Sequence, residues 1–374
     1  MRLIQMVDLK TQYEKIKDDI NASIFEVINN SNFINGPQVK EFAQQLAVFN
    51  KVKKVIPCAN GTDALQIAMM ALGYKPGDEI ILPVFTYVAT AEVIALLGLR
   101  PVFVDVDPLT FNIDPNKIKE KISARTKAIV PVHLFGQCAD MEAIMQLATD
   151  HCLDVIEDAA QAIGAEYYFS NNKQFAGTIG TFGTTSFFPS KNLGCYGDGG
   201  ALFTNKDELA KTAEVIANHG QVVKYHHDVI GINSRLDTLQ AGILLKKLPL
   251  LNNYIDNRRI AAAYYDEALK SIPQIVIPYR SSVSTHVFHQ YTIKVLAEKR
   301  DALKNYLAEK EIPTMVYYPL PLHWQNAYKA YNVSNESFPV SESISGQVLS
   351  LPIHTELDQE QLEYITANIT AFFN

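Results

Sequence analysis

The sequence predicts an α/β protein: a mainly parallel seven-stranded sheet flanked by helices, followed by a smaller α+β C-terminal domain. Two observations carry this reading. Short apolar runs alternate with helix-length segments through the first half of the chain, which is the pattern of βαβ units. From Leu236 onwards the alternation gives way to a long helical stretch and a few scattered strand-like runs. The 374 residues are enough for one large domain and one smaller one.

Taken in order, an N-terminal helix is expected from Gln12 to Asn29. Val52 to Pro57 reads as a strand and Thr62 to Leu72 as a helix. Glu79 to Pro83 is a strand, Tyr87 to Leu97 a helix, and Pro101 to Val106 a strand. Ala128 to His133 is the next strand, followed by a helix from Met141 to His151. Asp154 to Glu157, Thr184 to Phe188 and Gly200 to Thr204 complete the seven strands. A helical stretch then runs through Leu239, Ile243, Leu244 and Leu248 towards Tyr264. Strand-like segments follow at Val287 to Val295 and Thr314 to Tyr318, and a last helix at Gln359 to Phe372. The division is drawn at residues 1–245 and 246–374, although no Pro/Gly-rich linker marks it.

The net charge is −7 and the lysines are scattered, which argues against a general nucleic-acid binder, since phosphate contacts need clustered cations. The first residues lack the apolar core of a signal peptide, and no apolar run is long enough to span a bilayer. A cytoplasmic protein without a membrane partner is expected. Cys58, Cys138, Cys152 and Cys195 are widely spaced with no CxxC pair, so buried free thiols are expected in place of a metal site or a disulfide framework.

Candidate chemistry gathers at a few strand ends. Lys191 sits between the aromatic run Phe187-Phe188 and the glycine-rich turn Gly197-Asp198-Gly199-Gly200. That context suits a buried amine with a lowered pKa, although most lysines are solvated surface charges. Asp158 lies just past an apolar strand, where ligands of open α/β sheets gather. From spacing alone it serves equally well as a helix cap. Asn60-Gly61-Thr62 stands between a strand and a helix, and backbone amides at a helix start bind anions. A plain tight turn is the alternative. Ser186 lies five residues before Lys191 and offers a hydroxyl to the same anion. Tyr87 offers a flat face, although aromatics are more often core. Together these are the four things that pyridoxal phosphate (PLP) demands: a lysine, an acid, an anion site and a ring-stacking group.

These motifs, in this order, closely resemble the DegT/StrS family of nucleotide-sugar aminotransferases, which are PLP-dependent transferases of fold type I. The resemblance runs from Phe33-Ile34-Asn35-Gly36-Pro37 through Cys58 to Leu65, Pro76-Gly77-Asp78-Glu79, Phe103 to Asp107 and Glu157 to Gln161. It continues at Ser186 to Gly200, Asn233 to Gln240 and Tyr317 to Pro321. It implies that Lys191 is the Schiff-base lysine, that Asp158 partners the pyridine nitrogen, and that Gln161 lies near the ring oxygen. It implies that Gly61, Thr62 and Ser186 hold the phosphate and that Tyr87 stacks on the ring. Asn233 would reach the cofactor phosphate of a neighbouring subunit, so a homodimer is implied. Arg235 resembles a residue placed for a substrate carboxylate or phosphate; a salt bridge with Asp237 or another acid is the alternative.

The run Gly231 to Gln240, with Tyr225-His226-His227 before it, is similar to members that aminate C3 of a 3-oxo sugar. Members acting at C4 more often carry an aromatic where Ser234 stands. Ser186 to Gly200 is especially similar to the WbpE-type enzymes, which convert UDP-2-acetamido-2-deoxy-3-oxo-glucuronate to its 3-amino sugar with glutamate as donor and 2-oxoglutarate as by-product. The resemblance thus implies a role in surface polysaccharide (O-antigen, lipopolysaccharide) synthesis. Sugar contacts are expected from Arg235, His226, His227, Tyr317 and Tyr318, with packing at a dimer interface the alternative for the two histidines. Many relatives have His-Tyr-Pro where this chain has Tyr317-Tyr318-Pro319. A dTDP-3-oxo-6-deoxyhexose is the alternative substrate, and a non-catalytic sugar-nucleotide-binding regulator the alternative role. A PLP sugar dehydratase of this family would carry histidine in place of Lys191.

Overall fold

A computed structural model describes residues 2–331, 333 and 335–374. Seven strands form one sheet: β1 (Lys54–Cys58), β2 (Glu79–Pro83), β3 (Arg100–Val104), β4 (Thr126–Ile129), β5 (Asp154–Asp158), β6 (Phe182–Ser186) and β7 (Gly200–Thr204). Their order across the sheet is β1-β7-β6-β5-β4-β2-β3. Only β7 runs against the others, pairing antiparallel with both β1 and β6.

The apolar runs form strands because both of their faces are covered. Successive side chains of a strand point to opposite faces, and here they enter two different cores. Ile81, Val104, Ile129 and Val155 join one core. There they meet α2 (Pro37–Asn50), α5 (Met141–Asp150) and α7 (Thr238–Lys247) through Phe42, Ile144 and Leu244. Ile80, Leu82, Phe103, Ala128 and Ile156 join the other. They meet α3 (Gly61–Ala71), α4 (Ala89–Leu96) and α6 (Asp207–Ala217) through Leu65, Val93 and Ala213. The first helix, α1 (Leu9–Asn30), packs on α7.

A second sheet holds β8 (Ile275–Val276), β9 (Tyr291–Val295) and β10 (Val348–Leu351), all antiparallel. It shares a third core with α9 (Arg300–Glu309) and α10 (Gln359–Phe373). The long helix α8 (Leu251–Leu269) gives Leu251 and Ile255 to the first core and Ala261 and Tyr265 to the third. The chain therefore passes from one sheet to the other along helices, and residue 246 lies inside α7.

Several elements differ from the sequence expectation. The stretch from Leu239 to Tyr264 is two helices, parted by a 3₁₀ turn at Leu248–Leu250, where Pro249 cannot supply a helical N–H. The strand expected from Val287 begins only at Tyr291, because Phe288 has φ +47 and breaks the extended run. Thr314 to Tyr318 is not a strand; only Met315 bridges to Ser350, and the Tyr317–Tyr318 peptide is cis. Cys58, Cys138 and Cys195 are buried, but Cys152 is exposed. No helix among the described residues is long and apolar enough to cross a membrane.

Candidate active site

The site is built at the carboxyl ends of β5 and β6, on the loops that follow them. Asp158 closes β5 and is 7% exposed. Its Oδ2 accepts a hydrogen bond from the Thr90 hydroxyl at 2.8 Å, and its Oδ1 accepts from the Ala160 amide at 3.1 Å. The residues after it form a turn, not a helix, so the helix-cap alternative is not what the chain builds. On the other face of the same strand Glu157 is fully buried. It accepts from the amides of Gly177, Ile179 and Gly180 at 2.7–2.8 Å and from His133 Nε2 at 2.9 Å. His133 Nδ1 accepts from the Ala139 amide at 3.1 Å, so its proton resides on Nε2 and the ring is neutral. Every hydrogen-bonding demand of that buried carboxylate is thus met by fixed donors, which holds the end of β5 in place.

Lys191 lies on the loop between β6 and β7 and is half-buried. Burial lowers its pKa to about 8, against an opposing pull from the nearby charge of Asp158. Its amine has no hydrogen-bond partner among the described residues. The loop carrying it is held from several sides. Asn192 Nδ2 donates to the Val287 carbonyl at 2.9 Å, and the buried Lys247 amine donates to the Gly194 carbonyl at 2.8 Å. Phe187 and Gly199 pair across its base at 2.7 Å.

Beside this loop stands the N-terminus of α3. Asn60 caps it by accepting from the Asp63 amide at 2.8 Å, and the amides of Gly61 and Thr62 have no partner among the described residues. These free N–H groups, with the positive end of the helix dipole, suit an anion. Ser186 lies against them: a Cβ added at Gly61 would stand 2.9 Å from the Ser186 Cβ. A Cβ at Gly200 would stand 2.4 Å from the Asn60 backbone. Both glycines are therefore needed for close approach. The Ser234 hydroxyl, fully buried, accepts from the Ala59 amide at 3.0 Å, so this side chain braces the helix start and does not face a substrate.

Four aromatic rings meet at the other end of the site. Tyr87 is 57% exposed, with its ring 6.2 Å from that of Tyr318. Phe85 packs 5.9 Å and Tyr317 5.8 Å from the same Tyr318 ring. Gln161 Nε2 donates to the Tyr318 hydroxyl at 3.2 Å, while Gln161 Oε1 accepts from the Phe135 amide at 2.7 Å. Burial pushes the Tyr318 phenol well above its usual pKa, so it stays protonated near neutrality.

The structure thus brings together Gly61, Thr62 and Ser186, and beside them Tyr87, Asp158, Gln161, Lys191, Tyr317 and Tyr318. It does not bring Asn233, Arg235, His226 and His227 into contact with these. Asn233 is exposed. Arg235 Nη1 reaches Asn218 Oδ1 at 3.4 Å, its Nε is buried without a partner, and no ion pair with Asp237 is present among the described residues. His226 and His227 are exposed on a two-stranded ribbon, where His227 Nδ1 donates to the His219 carbonyl at 2.8 Å. Thr90 and the His133–Glu157 pair escape the sequence reading. Thr90 lies 68 residues from Asp158, and nothing local to it signals the contact.

A half-buried lysine with a lowered pKa, an acid at a strand end and a helix N-terminus with free amides fit PLP on this sheet. The family model described as DegT/DnrJ/EryC1/StrS aminotransferase matches residues 14–370, and the chain belongs to that family. It is 48% identical to a pleiotropic regulatory protein of Geobacillus stearothermophilus, over 99% of this chain and 98% of that one. It is also 48% identical to the UDP-2-acetamido-2-deoxy-3-oxo-D-glucuronate aminotransferase of Pseudomonas aeruginosa, over 98% of this chain and all of that one. Its structure is similar to NtdA of Bacillus subtilis with bound cofactor PMP, the pyridoxamine form. The TM-score is 0.90 at 33% identity, covering 98% of this chain and 83% of that one.

Proposed function

We propose that this aminotransferase moves an amino group from glutamate to C3 of a nucleotide-linked 3-oxo sugar, UDP-2-acetamido-2-deoxy-3-oxo-glucuronate, in the synthesis of a surface polysaccharide. The single observation that carries this is the lysine, acid and anion site gathered around Lys191 in a chain 48% identical, end to end, to an aminotransferase of that sugar. In this reading Gly61, Thr62 and Ser186 hold the cofactor phosphate and Tyr87 lies on the ring. Asp158 receives the protonated ring nitrogen and Gln161 the ring oxygen. Bound there, PLP supplies an electron sink for a carbanion at the carbon being deprotonated. Lys191 Nζ takes the proton from the α-carbon of glutamate, and in the return half it delivers one to C3 of the sugar. A pKa near 8 suits both tasks, since at neutral pH the amine exchanges protons readily in either direction.

Asn233, Arg235, His226 and His227 serve the site of a second copy in this reading, which makes the enzyme a homodimer. Support comes from the ribbon that carries the histidines. With the residues just after it, it exposes Val222 at 61%, Tyr225 at 79% and Ile230 at 86%, more apolar surface than one short segment usually leaves to water. Sedimentation at assay concentration should show a dimer, and a fully active monomer would rule the composite site out.

Arg235, His226, His227, Tyr317 and Tyr318 are then the groups for the sugar and its diphosphate. The test is a comparison of kcat/KM for the UDP-3-oxo uronate and for the same sugar with a hydroxymethyl group in place of the C6 carboxylate. A drop of about tenfold or more, ~1.4 kcal/mol, is expected on losing the carboxylate. Equal values would show that nothing in the site recognises it, and an uncharged sugar such as a dTDP-3-oxo-6-deoxyhexose would take its place. The likeness to a protein named as a regulator favours a second reading, a sugar-nucleotide sensor without turnover. The lysine, acid and anion site around Lys191 weigh against it, and an absorbance change of the PLP-loaded protein on adding glutamate separates the two.

A further inference from the structure

Thr90 is the second residue of α4 and is fully buried. A threonine inside a helix commonly spends its hydroxyl proton on the carbonyl three or four residues back. Here those residues, Thr86 and Tyr87, precede the helix, so the first turn leaves the hydroxyl free to bond elsewhere. It donates to Asp158 Oδ2 at 2.8 Å, from a different element and across 68 residues.

The backbone of Asp158 is already fixed. Its amide donates to the Pro131 carbonyl at 2.9 Å, and its carbonyl accepts from the His133 amide at 3.0 Å. Thr184 stands opposite it in β6. Only the side-chain torsions are left, and they decide which way the carboxylate plane faces. The Ala160 amide, 3.1 Å from Oδ1, belongs to the same turn as Asp158. One such local bond lets the carboxylate swing about it. The Thr90 hydroxyl comes from a helix whose Ala89, Ala91 and Val93 are packed in the second core, and it holds the other oxygen. Two donors on two elements fix a plane. A carboxylate has about four acceptor positions, so each oxygen keeps one for a further donor.

We infer that Thr90 is a positioning residue: its hydroxyl sets the plane of the Asp158 carboxylate, and with it the acceptor that receives the ring nitrogen of the cofactor. This rests on the reading of Asp158 as the partner of that nitrogen. Tyr87, which lies on the ring in the same reading, stands three residues before Thr90. One short segment then serves both the face of the ring and the acid at its edge. The hydroxyl moves no proton. It acts only through Asp158.

The experiment measures cofactor affinity and needs no turnover. PMP forms no covalent bond with Lys191, so its dissociation constant from the full-length, cofactor-free protein is read directly by fluorescence titration. It is compared with that of the PMP analogue in which the ring nitrogen is replaced by carbon. Thr90→Val keeps the shape of the side chain and removes the donor. It should weaken PMP binding about tenfold, as for the loss of an aligned hydrogen bond to a charged group, and leave the analogue within about twofold of its wild-type value. Thr90→Ser keeps the donor and should stay near the wild type for both ligands. Equal weakening of both ligands by the valine would make the hydroxyl a packing element of α4 alone. No weakening of either would mean that it has no hold on the acid. Each result would overturn the inference. Should the valine variant fail to fold, Thr90→Ala takes its place, since alanine is a good helix former. The same selective loss is expected of it, and the same two results count against the inference. Asp158→Asn separates the two readings. If it weakens PMP and spares the analogue while the Thr90 variants do not, only the inference on Thr90 falls. If it treats both ligands alike, the reading of Asp158 falls as well.

Discussion

Lys191→Ala is expected to abolish amino transfer, with kcat at least about 10⁴-fold down, or roughly 5 kcal/mol in the barrier. No other described amine is placed to relay the proton. The remaining buried amine of this region, Lys247, is committed to the Gly194 carbonyl and stands over the Tyr196 ring at 4.3 Å. The fold should survive the change. The Lys191 amine makes no hydrogen bond among the described residues, and its loop is held by Asn192, Lys247 and backbone pairs that the variant keeps. Thermal melting of the cofactor-free variant should match or slightly exceed the wild type, because burying an amine with a depressed pKa is unfavourable. Residual turnover within tenfold of the wild type would remove Lys191 from the chemistry.

Asp158→Asn should be the next most damaging change, with turnover down about 10³-fold, or ~4 kcal/mol. An amide still fits between the Thr90 hydroxyl and the Ala160 amide, so structure is kept while charge is lost. Without that charge nothing holds the ring nitrogen as a cation, and the carbanion loses its sink. The loss should appear in kcat with glutamate binding little changed. Near-normal turnover would reduce Asp158 to a residue that shapes its turn.

The large sheet was legible because each strand run enters two cores at once, and continuous hydrophobicity such as Ile80-Ile81-Leu82 leaves few alternatives. The C-terminal elements were less so. Phe288 takes a left-handed φ that no propensity announces, and residues 314–318 read as a strand yet pair only through Met315. The helix Pro37–Asn50 begins with proline at its first position, which is a start signal present in the sequence. In the site, Lys191, Asp158, Gly61 and Ser186 stood out because each stands at or just past the end of a strand. Thr90 and Glu157 with His133 did not, because their contacts span 24 to 68 residues. Ser234 was singled out as the place where members acting at C4 more often carry an aromatic, and its hydroxyl turns inward to the Ala59 amide. A side chain's direction there is decided by packing and not by the motif.

The most direct measurement is reductive trapping. The PLP-loaded enzyme is treated with borohydride, digested, and the peptide bearing the fixed cofactor is sequenced by mass spectrometry. The cofactor should be found on Lys191, in the peptide containing Phe187-Phe188-Pro189-Ser190-Lys191-Asn192, and prior addition of glutamate should prevent the labelling. A label on any other lysine, or none at all in a protein that still transfers nitrogen, would contradict this account of the site.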